Sequence, residues 1–452
     1  MPAFSSSPIR QDSNGSRFAL LVALLAVLWL VGGASRADVP AQLFVRAATW
    51  IILIIAVLLL PRPKHVPKVP AAILITAVAL PALQMVPLPP ELWLQLPGRA
   101  MFAEAVMISG GEQPWRPISI SPAATANALS SLVVPAAVLL LASGITRREQ
   151  HKLVGLMLAS VIAACFLALL EFSGARLDYP FLNDIPGSPS GNFANRNHFA
   201  LFAAIGCLLA PCWAFCNDAD GRFKVEWRGL AAAGMILLFT LVILATGSRS
   251  GILLGVLGIA LGVISVWRPL IRQLRRLPRH VALTASAAGI GGVVSVVGLS
   301  VWLGRAVSVE RALTLDAGAD ARNQVLPVVL QSIQLYFPVG SGFGAFDPVY
   351  RISEPYELLQ YSYVNHAHND WLEVILDGGL AGGLVLVAAL IWWLRKSWSA
   401  WQKQEGQHLA RIGSALLLMV FAASIVDYPA RTPLIMALVV LGALYMDKPA
   451  RL

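Results

Sequence analysis

The residues best suited to chemistry lie in the segment 365–370, which reads NHAHND. Asp370 is followed three residues later by Glu373 and then by an apolar run, which predicts a capping box and the start of a helix. His368 would then stand just outside the positive end of that helix, where free N–H groups favour an anion. A neutral imidazole there could act as a general base, or it could simply pack against or cap the loop. His366 is expected to matter much less.

Two arginines are candidates for binding an anion. Arg249 lies in the segment 246–251, which has room only for a tight turn between two apolar runs, and Arg322 opens a predicted amphipathic helix. A guanidinium stays ionised and can bind phosphate through two parallel hydrogen bonds. The alternatives are a side chain that snorkels to the membrane interface for Arg249 and a solvated surface charge for Arg322.

A polar cluster precedes the next apolar run, and it either lines a substrate cavity or caps a helix. The candidate cavity residues are Asn195, Arg196 and His198, with Asn369 beside the histidine motif. We expect no metal site, because the two histidines of 365–370 have no third ligand nearby. The glycine-rich segment 340–344 lacks a preceding strand, so it predicts a turn and not a dinucleotide site.

Composition shows what must position these residues. The chain has 452 residues, of which 57% are hydrophobic and 13% charged, whereas a soluble protein carries about 25% charged residues. The sequence therefore predicts an all-α polytopic membrane protein with about twelve transmembrane helices. We place them at about 18–34, 43–60, 69–88, 123–143, 151–172, 197–216, 229–246, 249–267, 281–303, 371–394, 411–427 and 431–447.

The distribution of basic residues orients this bundle. With both termini in the cytoplasm, 22 of the 34 Lys and Arg fall on cytoplasmic tails and loops, and these 22 include every lysine. Because topology accounts for the net charge of +10, nucleic-acid binding is not expected. The chain is interpreted as a single polytopic membrane domain over 1–452, with a large outer loop at 304–370 between helices 9 and 10 that carries part of the active site.

Three motifs in this order resemble the O-antigen ligase family, within the Wzy-type polymerase and ligase superfamily. The resemblance covers roughly residues 185–430 and rests on the turn at 248–251, the helix start at 321–324 running into 338–344, and the histidine motif at 368–373 followed by 378–380. It implies a glycosyltransferase of the bacterial inner membrane with its active site facing the periplasm. The donor would be an undecaprenyl-pyrophosphate-linked glycan, and the acceptor a sugar hydroxyl on lipid A–core.

The resemblance also implies roles for single residues. Arg249 and Arg322 would hold the pyrophosphate, His368 would lie near the reacting centre, and neither metal nor cofactor would be needed. Asp377 receives no role, because the sequence around it departs from the family's pattern. Membrane lipids would be the remaining partners.

Other functions stay open at this point. A polysaccharide polymerase and a protein O-oligosaccharyltransferase belong to the same superfamily. A transporter of lipid-linked glycan is the alternative from another class, but it would place ionisable residues near the bilayer midplane. Here those residues gather on one predicted face, which favours an enzyme.

Overall fold

The computed structural model describes residues 9–36, 38–173, 189–216, 225–275, 321–359, 363–402 and 407–447, with single residues 291, 295 and 298. The predicted span 281–303, apart from those single residues, and the first part of the predicted outer loop, 304–320, lie outside the described residues.

The described chain is built almost entirely of α-helices. They are α1 (Ile9–Val31), α2 (Pro40–Leu59), α3 (Lys68–Gln84), α4 (Pro90–Trp93), α5 (Ala100–Ile108), α6 (Pro122–Ser131), α7 (Val133–Ser143), α8 (Arg147–Phe172), α9 (Arg196–Cys216), α10 (Val225–Ala245), α11 (Arg249–Ser265), α12 (Trp267–Leu274), α13 (Ala321–Tyr336), α14 (Phe346–Ser353), α15 (Asp370–Gln402), α16 (His408–Ala423) and α17 (Pro433–Asp447). Strands β1 (Pro87–Leu88) and β2 (Arg116–Pro117) pair antiparallel. Short 3₁₀ helices cover Tyr356–Leu358 and Pro429–Arg431.

The chain is a polytopic α-helical membrane protein. Among the described residues, six helices are long and apolar enough to cross a membrane, or up to seven if the bent pair α11 and α12 is one span. Four further apolar helices are shorter, namely Gly15–Val31 within α1, and α3, α16 and α17. Apart from 281–303, each predicted span coincides with one of these helices, while the total of twelve remains a prediction.

Helix α9 forms the centre of the bundle, because its side chains are almost all buried. Glycines on α11 let its backbone approach α9 closely: a Cβ at Gly258 would lie 2.4 Å from the Ala204 carbonyl oxygen. A Cβ at Gly251 would lie 2.6 Å from the Ala200 Cβ. The two helices therefore run side by side in the same direction, and they begin at the same level.

The helix ends meet in two separate groups. At one end, the Ala194 and Leu434 amides donate to the Gly33 and Gly32 carbonyls, both at 3.1 Å. At the other end, Arg17 donates to the Leu140 carbonyl (3.3 Å), and the Tyr445 hydroxyl to the Gln150 carbonyl (3.3 Å). Helix α1 therefore runs toward the first group of ends, whereas α9 and α17 run away from it. We call the end that contains Gly33, Ala194 and Leu434 the site end.

A glycine-rich loop holds a break in helix α15. Gly379 has φ 58° and ψ −143°, so α15 consists of two helical segments joined there. The loop 340–344 has three glycines with positive φ, a conformation that side chains disfavour. Its amides donate to the Leu376 carbonyl (2.9 Å) and to the Asp377 carbonyl and carboxylate (both 3.0 Å). The loop is therefore a structural turn, as the sequence predicts.

Candidate active site

The carboxylate of Asp427 is the centre of a buried polar cluster at the site end. Its Oδ1 lies 3.5 Å from His198 Nε2 and 3.5 Å from His368 Nδ1. The amide of Asn197 donates to its Oδ2 at 2.6 Å, and that of Asn195 lies 3.4 Å from both oxygens. The fold therefore brings the predicted His368, His198 and Asn195 together on one carboxylate that the sequence analysis did not single out.

Electrostatics keep this carboxylate ionised. Burial alone works to raise the pKa of Asp427, but the contacts and charges of His198 and His368 outweigh burial and hold the pKa well below its ordinary range. Asp427 can therefore orient an imidazole and stabilise its protonated form. Within the part of the chain that the structure describes, no three His, Cys, Asp or Glu side chains are grouped as ligands for a metal ion.

His368 has an unusual backbone conformation. With φ 51°, it is the one non-glycine residue with positive φ among those described. Such conformations are sparsely populated and are found preferentially at functional sites. Its Nδ1 is buried beside Asp427, yet 30% of the side chain is exposed, so the exposure falls on the remaining ring atoms. The carboxylate faces the buried ring nitrogen at 3.5 Å, and the other side of the ring is the exposed part of the side chain.

Tyr428 separates three imidazoles. Its ring centroid lies 4.4 Å from that of His366, 5.0 Å from that of His368 and 5.1 Å from that of His198. The tyrosine is buried, and its hydroxyl lies 3.4 Å from Asn365 Oδ1. The ring fills the space between the histidines and fixes their mutual positions.

Behind this cluster, Arg431 contacts three buried carboxylates of α15. One of its amino nitrogens lies 3.0 Å from Glu373 and 3.6 Å from Asp377, and its Nε lies 3.4 Å from Asp370. Burial lowers the pKa of Arg431, but the three carboxylates outweigh it and raise the pKa, so the guanidinium stays charged. The side chain fastens the 3₁₀ helix Pro429–Arg431, and with it Asp427, to the start of α15.

The predicted capping box was wrong, although α15 does begin at Asp370. Asn369 caps the helix, since its Oδ1 accepts from the Leu372 amide at 3.0 Å, and its amide donates to the Ile425 carbonyl. Glu373 instead accepts from the Ala367 amide and contacts His366 Nδ1, both at 2.8 Å. The physical reason is Arg431, whose charge draws Asp370 and Glu373 inward. His366 is consequently a half-buried partner of the buried Glu373, so its replacement is not a suitable control for that of His368.

Two of the predicted arginines open helices at the site end. Arg196 is the first residue of α9 and Arg249 the first of α11, and both side chains are half-buried. Ser248 caps α11 by accepting from the Gly251 amide at 3.0 Å. Because Gly251 packs beside Ala200, Arg249 starts its helix next to the turn that carries His198. Arg322 lies in the first turn of α13, but its side chain is outside the described residues.

A known protein family matches a segment of the chain that includes the predicted arginines Arg249 and Arg322 and the histidine His368. Residues 233–387 match the family model described as Wzy_C, O-antigen ligase. This segment is similar to O-antigen ligases. The resemblance predicted from the three motifs is therefore confirmed. The matched segment of the ligase family contains Arg249, Arg322 and His368, whereas His198 and Asp427 lie on either side of it.

A curated relative supports the family at greater distance. The chain is similar to the exopolysaccharide production protein ExoQ of Rhizobium meliloti (strain 1021), with 27% identity over 244 residues. The alignment covers 51% of this chain and 52% of the relative. The chain thus spans about half the length of the curated relative that it matches.

Sequence reasoning missed the segment 427–431, which reads DYPAR. It assigned Asp427 to the end of one predicted span and Arg431 to the start of the next. Two charged residues in so short a link between apolar runs were the available signal, because an ionisable residue at a membrane boundary needs a partner.

Proposed function

We propose that this protein is a glycosyltransferase that moves a glycan from a polyprenyl-pyrophosphate carrier to an acceptor hydroxyl at the site end. The observation that carries the proposal is the partly exposed imidazole of His368 on the buried carboxylate of Asp427, at the edge of an O-antigen ligase domain. His368 takes the hydroxyl proton as the acceptor oxygen attacks the anomeric carbon. The bond between that carbon and the pyrophosphate breaks, and the carrier leaves as its pyrophosphate.

The leaving pyrophosphate needs positive charge that is already in place. Helices α9, α11, α15 and α17 all begin at the site end, and their positive ends favour an anion there. Arg249 is the first residue of α11 and supplies positive charge at such a helix start. Arg322 is assigned the same role from the family motif. Both are proposed to bind the pyrophosphate.

Replacing Arg249 with alanine should lower the transfer rate by about 10²–10³-fold, because one pre-placed charge donor is lost. Lysine should rescue poorly if the contact is bidentate. The rate is measured with purified protein and lipid-linked donor, and Arg322→Ala is expected to behave alike. The exposed Arg351 serves as the control arginine, so Arg351→Ala should retain activity. Full activity of Arg249→Lys would show that a point charge suffices.

The proposed reaction is metal-independent, since the arginines supply the charge that a divalent cation would otherwise provide. Purified protein should therefore keep its activity in excess EDTA. The expected ratio of rates with and without chelator is about one. Activity that is abolished by EDTA and restored by Mg²⁺ or Mn²⁺ would contradict the proposal.

We place the site end on the periplasmic side of a bacterial inner membrane, with twelve spans, both termini in the cytoplasm and the single membrane domain extending over 1–452. The lysines support this orientation, because they fall on the cytoplasmic side of it. The loop 304–370 would then lie outside and contribute His368 to the site.

Labelling of single cysteines tests the topology. In a cysteine-free variant, a cysteine at the exposed position Glu357 should react with an impermeant thiol reagent on intact cells, and one at the exposed Arg275 should not. Permeabilised cells should label both positions and provide the control. The reverse pattern on intact cells would overturn the orientation.

For the acceptor, we propose a sugar hydroxyl on lipid A–core, as in an O-antigen ligase. Similarity to ExoQ favours a second candidate, the polymerisation of exopolysaccharide repeats. Deletion of the gene followed by gel profiling of lipopolysaccharide separates the two. Loss of the whole ladder with accumulation of lipid-linked glycan indicates ligation, and an intact ladder with missing or shortened exopolysaccharide indicates polymerisation. Absence of lipid-linked glycan from the periplasmic leaflet would indicate a transporter instead.

A further inference from the structure

Two imidazoles share one oxygen of Asp427, and only one of them reaches the surface. His198 is 1% exposed, whereas 30% of the His368 side chain is exposed. Both ring nitrogens lie 3.5 Å from Oδ1. A buried imidazole cannot meet an acceptor hydroxyl, so the reaction proposed above leaves His198 without a task.

We propose that His198 is a positioning residue that occupies Asp427 Oδ1 and thereby limits how strongly this carboxylate interacts with His368. The exposed imidazole is thereby kept available to accept a proton from the acceptor hydroxyl. This inference rests on the proposed function, in which His368 is the base.

The ring of His198 is oriented for this role from its far side. Thr432 Oγ1 lies 2.9 Å from His198 Nδ1. When the hydroxyl donates to Nδ1, the ring proton resides on Nε2, which lies 3.5 Å from Asp427 Oδ1 and 3.4 Å from the amide nitrogen of Asn195. Tyr428 packs edge-on against the ring at 5.1 Å and prevents it from turning.

Asp427 does not depend on His198 for its position. Asn197 donates to its Oδ2 at 2.6 Å, and the Tyr428 amide donates to its Oδ1 at 3.0 Å. Removal of the buried imidazole therefore leaves the carboxylate in place with one donor fewer. Its negative charge then acts more strongly on His368 and favours the protonated imidazole.

Every neighbouring segment contributes charged or titratable groups around His198 and His368, and a substitution at His198 leaves all of these groups in the protein. The groups are Arg196 on α9, Arg249 on α11, His366 before α15, Asp370 and Glu373 on α15, and Tyr428 and Arg431 in the link to α17. A comparison between His198 variants therefore isolates the contribution of this imidazole.

The experiment compares His198→Leu, which removes the donor, with His198→Gln, which can still donate to Asp427. Diethyl pyrocarbonate reacts with neutral imidazole, so its rate of reaction with His368 is followed against pH by peptide mass spectrometry. In His198→Leu the midpoint of this curve should rise by roughly one pH unit or somewhat less. His198→Gln should match the wild type, and Thr432→Val should shift the midpoint less, in the same direction.

A midpoint that is the same in all proteins would overturn the proposal and leave His198 with a packing role. A lower midpoint in His198→Leu would also overturn it, because it would show that His198 strengthens the interaction of Asp427 with His368 and does not weaken it. Should His198→Leu fail to fold, which a thermal melt in detergent reveals, Thr432→Val carries the test alone. The reaction with diethyl pyrocarbonate does not require glycan transfer, so the midpoints can be measured whether or not the proposed function holds. A His368 variant that still transfers glycan would refute the proposed function, independently of these midpoints.

A different observation carries a second inference at the opposite end of the bundle. Helix α12 leaves α11 after a 67° bend, so it runs across the bundle axis. Arg268, Arg272 and Arg275 are exposed and follow a spacing of four and three residues, which places them on one face. Trp267 is 56% exposed, and Leu270 packs against the core.

We infer that α12 lies along the membrane surface and binds the phosphates of anionic phospholipids through these arginines. An apolar side toward the bundle, an exposed tryptophan and an arginine face are the features of a helix in the interfacial plane. Basic residues near such a surface are attracted to anionic lipids.

Thermal stability with defined lipids tests this inference. Phosphatidylglycerol added to phosphatidylcholine vesicles should raise the melting temperature of the wild type. The triple variant Arg268→Gln, Arg272→Gln and Arg275→Gln should bind phosphatidylglycerol on the order of 10²-fold more weakly and lose that rise. The matched control changes three exposed basic residues between α2 and the start of α3, Arg62, Lys64 and Lys68, to glutamine and should keep the rise. Equal losses in both variants would show a general charge effect and overturn the site.

Discussion

Replacing His368 with asparagine should lower the rate of glycan transfer by about 10²–10⁴-fold, the range that a general base contributes. Asparagine tolerates the positive φ of this position, so the variant removes the imidazole without forcing the backbone to change. Donor binding should survive, because the arginines and not the histidine are proposed to hold the pyrophosphate. Transfer and donor binding are measured separately on the purified protein.

The control for this variant must be a histidine outside the cluster. His366 is unsuitable since it contacts the buried Glu373, and its removal would disturb the fold. His65 is exposed in the loop before α3, and His65→Asn should retain wild-type activity. An active His368→Asn would mean that the base lies elsewhere and that this imidazole is structural.

Transfer should also fall on acidification, because a protonated imidazole cannot accept the hydroxyl proton. The pKa of Asp427 lies well below its usual value, so protonation of this carboxylate does not cause the loss. The residual activity of His368→Asn should lack this acid limb. An unchanged limb in the variant would assign it to another group.

Replacing Arg431 with alanine should destabilise the protein by about 3–5 kcal/mol, the cost of breaking a buried ion pair from one side. Asp370, Glu373 and Asp377 would be left buried without the cation that faces them. The expected result is a much lower melting temperature in detergent and little accumulation in the membrane.

Two comparisons make this second result specific. Arg351→Ala breaks an exposed pair with Asp347 and should leave the melting temperature nearly unchanged. Adding Glu373→Gln to Arg431→Ala removes the carboxylate that lies nearest to the guanidinium, at 3.0 Å, and keeps an oxygen for the Ala367 amide, so the double variant should melt above the single variant. If Arg431→Ala melts like the wild type, the cluster does not hold the 3₁₀ helix to α15.

The positions of the helices could be predicted because hydropathy is a local property of the chain. The tight turn predicted within 246–251 followed in the same way, because so few residues separate two apolar runs. The contact of Asp427 with His368 could not be predicted, since it depends on how three helices pack and not on spacing. The capping box failed for the same reason: the pattern from Asp370 to Glu373 is local, whereas the charge of Arg431 that redirects both side chains arrives from a distant part of the sequence.

The break in α15 at Gly379 divides the helix into two parts that should tolerate replacement by an unrelated helix to different degrees. Every contact described between α15 and the cluster is made before the break, where the loop 340–344 holds the carbonyls of Leu376 and Asp377. Beyond it, Ser397, Trp393 and Trp401 are hydrogen-bonded to Ser414 of α16, and Lys396 pairs with Asp447 of α17. For protein engineering, residues 380–402 are therefore a candidate module for replacement. An apolar helix from another protein that keeps these four side chains should preserve the geometry of the site, while residues 370–378 must be transferred together with the 427–431 link.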